Sequence, residues 1–138
     1  MESVDVYLAL GSNLGDRHSI LLSALYQLSL RVGRLVRCSS FIETEPWGFQ
    51  SEHTFLNAVA LFHTNLTPHE VLSVTKAIER ELGRLEKTEG SYKDRTIDID
   101  ILLYGDEHIN EADLKIPHPL MYQRDFVMIP LQEIKNSL

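Results

Sequence analysis

Only one cysteine, Cys38, occurs in the 138 residues. An intrachain disulfide is therefore impossible, and a zinc cluster is disfavoured. Long apolar runs are missing too: none approaches the ~20 residues of a membrane span. The opening MESVDVYLALG has neither a basic stretch nor a cleavage site, so it does not read as a secretory signal. Basic residues are scarce, with 13 Lys and Arg against 20 Asp and Glu and a net charge of -7. That argues against non-specific nucleic-acid binding and against an anionic membrane surface. An anionic small molecule stays compatible, provided the bases are concentrated locally. Repeats, low-complexity tracts and linker-like shifts in composition are also absent. What remains is 43% hydrophobic, which predicts one folded cytoplasmic domain over residues 1–138, by default a monomer.

The hydrophobic pattern orders the elements. VDVYLAL alternates and predicts a strand over 4–10. Leu21, Leu25, Leu28 and Val32 recur at helical spacing, so a helix is expected over 17–31 with Gly33 as its stop. Strands follow over 34–43 and 55–64, separated by a loop carrying Pro46 and Gly48. Thr67, Pro68 and Glu70 have the spacing of a capping box that starts a helix running to Gly83. Residues 84–95 are polar and without period, a long loop for so short a chain. A strand is expected over 96–104, short strands and turns over 106–117, and a last helix near 124–134 that Pro130 bends or shortens. Strand–helix–strand twice over on one sheet predicts a ferredoxin-like α+β sandwich. Its sheet would be largely antiparallel, with helices on one face and the other face free for a site.

The chemistry concentrates in DRTIDIDILLYG, residues 94–105. On a strand, Ile97, Ile99, Ile101 and Leu103 point one way, and Asp98, Asp100 and Leu102 the other. The two carboxylates then sit roughly 6 to 7 Å apart at Cα. Each raises the other's pKa unless a cation lies between them. All-oxygen ligands with no His or Cys beside them suit magnesium or manganese, held together with phosphate oxygens. Acidic residues on a strand often face only water. Here Arg84 and Arg95 flank the pair through the polar loop, and an arginine fork suits phosphate. GSNLGDR lacks the lysine of a phosphate-cradling glycine loop. Asn57 in FLNAVA is a polar amide among apolar strand residues, which needs partners.

The pieces LALGSNLGD, FIETEPWG, FLNAVA, DRTIDIDILLYG and IPHPLMYQRDFVMIPLQEI stand in an order and spacing that covers nearly the whole chain. Together they resemble the 6-hydroxymethyl-7,8-dihydropterin pyrophosphokinases of folate biosynthesis. The resemblance implies transfer of pyrophosphate from ATP to the pterin hydroxymethyl group, with two magnesium ions on Asp98 and Asp100. It implies catalytic roles for Arg84, Arg95, Asp98 and Asp100. On the ATP side it places Lys76, Glu79, Arg84, Tyr92, Arg95, Ile101, His118 and Arg124. Around the pterin it places Gly11, Thr44, Trp47, Phe55, Asn57, Asp98 and Phe126. The partners implied are those two small molecules, with no nucleic acid and no membrane.

The chain departs from the family pattern at Glu86, Lys93 and Asp94, all in the 84–95 loop, and at Phe55, where tyrosine is common. Two other readings compete. A two-metal nucleotidyltransferase-like enzyme would attack the α-phosphorus and release pyrophosphate. A non-catalytic ferredoxin-like binding module would leave the aspartates merely exposed.

Overall fold

The computed structural model describes residues 3–45, 53–83 and 96–136. In chain order these form strand β1 (Val4–Ser12), helix α1 (Arg17–Arg31), strands β2 (Gly33–Cys38), β3 (Ile42–Thr44) and β4 (Phe55–Thr64), and helix α2 (Pro68–Gly83). Strand β5 (Asp98–Tyr104), the short hairpin β6 (Ile109–Asn110) and β7 (Lys115–Ile116), a 3-10 turn at Met121–Gln123, and helix α3 (Asp125–Asn136) follow. The main sheet runs β2-β4-β1-β5, with β3 continuing the β2 edge alongside β4. All of its pairings are antiparallel. The fold is the expected ferredoxin-like one.

Local signals explain most boundaries. Asp16 caps α1, accepting the Ser19 N–H at 3.2 Å. The capping box of α2 closes as the sequence requires: Glu70 accepts the Thr67 N–H at 2.8 Å, and Thr67 Oγ1 accepts the Glu70 N–H at 3.2 Å. Thr67→Ala is expected to cost about 1 kcal/mol in urea unfolding, with activity retained. Gly33 is less a stop for α1 than the first residue of β2. A Cβ there would stand 1.9 Å from the His63 carbonyl oxygen, so only glycine allows the two strands this approach.

Three expectations need correcting. The strand predicted over 34–43 is two strands. At Ser39 the side-chain oxygen accepts the Val59 N–H at 2.9 Å, and the Ser40 N–H turns away to the Glu133 carboxylate at 3.1 Å. The Ser39 hydroxyl and the Glu133 carboxylate thus take up main-chain N–H groups in place of ladder bonds, and the strand breaks. Strand β5 carries a bulge: Tyr7 pairs with Leu103 but Leu8 pairs with Ile101. Leu102 is the extra residue, so Leu103 turns to the same side as Leu102 and Tyr104 returns to the helix-facing core. The last helix continues past Pro130 to Asn136 and is not shortened by it; the proline gives no N–H to the preceding turn.

The sheet is covered unequally. Helices α1 and α2 bury Leu21, Leu25, Leu28, Val71 and Ile78 against Val6, Leu8, Leu10, Phe62, Ile99 and Ile101. The second face is not wholly free, because α3 buries Val127, Leu131 and Ile134 on Tyr7, Val59, Leu61 and Leu102. Its apolar stripe finds the apolar half of that face. The polar half lies toward the C-terminal end of β1, where Gly11, Asn57 and Asp98 stand.

Candidate active site

One row of the sheet carries the centre of the site. Asn57 pairs with Gly11, Gly11 pairs with Asp98, and on the other edge Asn57 pairs with Ile42. Residues directly opposite share a face. Asn57 and Asp98 are therefore side by side across Gly11, facing away from α1 and α2. The next pairs extend the row in both directions. Thr44 stands against Phe55, and Asp100 against Ala9.

Gly11 is the gap in this row. An added Cβ would lie 2.9 Å from Asn57 Oδ1 and 3.5 Å from Phe55 Cδ1. The missing side chain leaves over the Gly11 backbone a narrow slot that the Asn57 amide and the Phe55 ring already line at contact distance. Asn57 is 4% exposed. Its Nδ2 donates to Thr44 Oγ1 at 2.7 Å, which fixes the amide plane. Asn13, just beyond β1, donates from Nδ2 to the His53 carbonyl at 3.3 Å. A hydrogen-bonding amide and an apolar aromatic ring thus stand side by side next to Gly11.

The acidic end is strained electrostatically. Burial pushes the Asp100 carboxyl up to about 7, and the charges of Asp98 and Glu79 push the same way, against Arg124 and Lys76. Glu79 is itself raised by burial and by Asp98. Against this, Glu79 accepts the Ile99 N–H at 2.7 Å and meets Lys76 Nζ at 3.4 Å. Asp98 and Glu79 thus bear electrostatically on Asp100 where β5 passes α2. Among the described residues no three His, Cys, Asp or Glu side chains form a ready-made metal cluster; the oxygens of the Asp98–Asp100 pair suit a hard divalent cation, whose charge would relieve them.

The tail closes the site from the other side. The His118 N–H donates to the Leu102 carbonyl at 3.0 Å, fastening the segment to β5. Its ring Nδ1 accepts the Leu120 N–H at 3.2 Å, which leaves the proton of the neutral ring on Nε2. Burial and the Arg124 charge hold this histidine below its ordinary pKa, although Asp98 pulls it upward. The Arg124 guanidinium lies over the Phe126 ring, 5.5 Å from its centroid.

Gly11, Thr44, Phe55, Asn57, Asp98 and Asp100 are thus gathered on one sheet face. Lys76 and Glu79 approach from α2, and His118, Arg124 and Phe126 from the tail. Ile101 is different. Its side chain is buried in the core under α1 and α2, so any ligand contact there is through its main chain. Trp47, Arg84, Tyr92 and Arg95 lie outside the described residues, as do Glu86, Lys93 and Asp94. One participant escaped the sequence reading. Arg17 reaches Glu43 at 2.7 Å and the Thr54 carbonyl at 2.9 Å. No local pattern announces contacts across such separations.

Comparison with known proteins shows the family. The family described as 7,8-dihydro-6-hydroxymethylpterin-pyrophosphokinase (HPPK) matches residues 7–136. A 2-amino-4-hydroxy-6-hydroxymethyldihydropteridine pyrophosphokinase of Porphyromonas gingivalis is 56% identical over 131 residues, 94% of this chain and 89% of that protein. Its counterpart in Bacillus subtilis is 43% identical over 129 residues, 93% of this chain and 76% of that protein. A solved HPPK-DHPS in complex with substrates has a TM-score of 0.77 at 15% identity. It is matched over 97% of this chain and only 40% of its own length, a likeness of fold alone. With the match running through both the slot row and the aspartate strand, the chain belongs to the HPPK family of pyrophosphate-transferring enzymes.

Proposed function

We propose that the protein transfers the terminal pyrophosphoryl unit of ATP to the hydroxymethyl oxygen of 6-hydroxymethyl-7,8-dihydropterin in folate biosynthesis. The observation that carries this reading is the single cross-strand row in which Asn57 and Asp98 flank the gap at Gly11. A heterocycle seated in the gap has its ring beside the amide and its substituent beside the carboxylates. The oxygen attacks the β-phosphorus, the bond from that phosphorus to the α–β bridging oxygen breaks, and AMP leaves.

Each side chain has a positional task. Asn57, locked by Thr44, reads the donor–acceptor edge of the pterin. Phe55 and Phe126 offer apolar faces to its ring, and the family resemblance adds Trp47 to the pterin side. Asp98 and Asp100 would hold two magnesium ions, a fit supported by their all-oxygen chemistry and by the excess negative charge around Asp100. When bound, the ions supply positive charge against the phosphates and the substrate oxygen. His118, neutral with its proton on Nε2, donates a hydrogen bond to the nucleotide. Lys76, Arg84, Arg95 and Arg124 bring positive charge to the triphosphate, while Glu79 and Tyr92 border it. Catalysis is then positioning and charge neutralisation, with no covalent enzyme intermediate. In this reading the enzyme works as a cytoplasmic monomer. Among the described residues no helix is long and apolar enough to cross a membrane.

Phosphorus NMR of the protein with magnesium, ATP and the hydroxymethyl dihydropterin tests the reaction. AMP together with a pterin diphosphate is the expected result. Free pyrophosphate would indicate attack at the α-phosphorus, ADP a simple kinase, and unchanged ATP with folded protein a binding module. Any of these three would sink the proposal.

A further inference from the structure

Behind the pocket, on the sheet face turned toward α1, a closed polar triangle joins three segments. Arg17 is the first residue of α1. One guanidinium nitrogen donates both to the Thr54 carbonyl at 2.9 Å and to Thr54 Oγ1 at 3.0 Å. Another donates to Glu43 Oε2 at 2.7 Å. The Thr54 hydroxyl completes the ring by donating to the same Glu43 oxygen at 2.9 Å. Each corner adjoins a residue of the slot. Glu43 precedes Thr44 and Thr54 precedes Phe55, a pair facing each other across β3 and β4. Arg17 opens the helix that follows the Gly11 and Asn13 segment.

The location gives the triangle its consequence. Strand β3 has only three residues and, among the described residues, pairs with β4 alone. So short an edge strand has few ladder bonds to hold its register. Thr44 ends this strand, yet its hydroxyl must stay 2.7 Å from Asn57 for the amide plane to be fixed. A planar fork with charge-assisted bonds supplies the missing constraint better than a point charge would. The main-chain bond to Thr54 matters most, because it holds the backbone that aims the Phe55 ring.

We infer that Arg17 is a positioning residue for pterin binding, acting from behind the sheet through Glu43 and Thr54 to hold Thr44 and Phe55 in register. The inference rests on the pterin reading above. Arg17 touches neither substrate. Its removal therefore weakens the pterin side selectively and leaves the nucleotide side, built on α2, β5 and the tail, as it was.

The test is steady-state kinetics of the whole chain, with direct binding of the hydroxymethyl dihydropterin by equilibrium dialysis. The wild type is measured first: failure to bind or use the pterin overturns the functional reading rather than this inference. Given an active wild type, Arg17→Ala is expected to raise the pterin KM and Kd about tenfold, with the ATP KM unchanged. Arg17→Lys, which keeps charge but loses the fork, should fall between the two. An unchanged pterin KM in folded Arg17→Ala overturns the inference. So do equal losses for pterin and ATP, which mark general destabilisation. Should Arg17→Ala fail to fold, Arg17→Lys decides on the same two criteria.

Discussion

Asp98→Ala and Asp100→Ala are each expected to lower kcat by at least about a thousandfold, as loss of the main charge-holding groups at a phosphoryl centre requires. Both variants should fold. Each side chain faces away from the α1–α2 core, and the β5 ladder to β1 is made by main chain alone. Asp100 gives a second, independent readout. Its carboxyl is raised from 3.8 to about 7, so the folded state binds the proton more tightly than the unfolded chain. Between those two pH values the folded protein is protonated there while the unfolded chain is not. Stability therefore falls as pH rises from about 4 to about 7, and is flat in this group's contribution above that. Asp100→Asn removes the fall and should be the more stable protein at pH 8, though inactive. Magnesium should raise the Tm of the wild type at pH 8 and do so much less for Asp100→Asn, because binding to the folded state alone stabilises it. A wild type indifferent to magnesium in both Tm and turnover would remove the metal from the mechanism.

The sequence made this strand legible because its signal is local. Alternation over Ile97, Asp98, Ile99, Asp100 and Ile101 puts the acids on one face whatever the neighbours do. The alternation fails at Leu102 and Leu103, since a bulge is set by the partner strand and has no mark in the apolar run itself. Capping at Thr67 was readable for the same local reason. The break at Ser39 was not, because it depends on Val59 and Glu133, which are far away in the chain. Helix α3 shows the same division. The helix itself was expected near 124–134, but which sheet face it covers follows from how the tail is fastened by His118 to Leu102. The placing of Asn57 and Asp98 on strands was legible from their own segments, and the fold sets them in one row across Gly11. The contacts of Arg17 were not legible, since its partners lie 26 and 37 positions away and only folding brings them together.

Gly11→Ala is expected to weaken productive pterin binding about a hundredfold while sparing the nucleotide. The backbone of β1 is ordinary extended strand there, so alanine introduces no conformational strain. What it introduces is a methyl group 2.9 Å from Asn57 Oδ1 and 3.5 Å from the Phe55 ring. The amide cannot retreat freely, because its Nδ2 is held by Thr44 and the residue is buried. Either the amide turns and loses its reading geometry, or the methyl stays and fills the slot. Both displace the heterocycle by about an ångström from the β-phosphorus, a misplacement that costs on the order of a hundredfold. Pterin Kd and kcat/KM should both worsen by about that factor. ATP binding, measured separately with a non-hydrolysable analogue, should stay at the wild-type value, since Lys76, Glu79, His118 and Arg124 all approach from beyond Asp98. A Gly11→Ala protein that binds the pterin normally would mean that the gap between Asn57 and Asp98 is not where the ring sits.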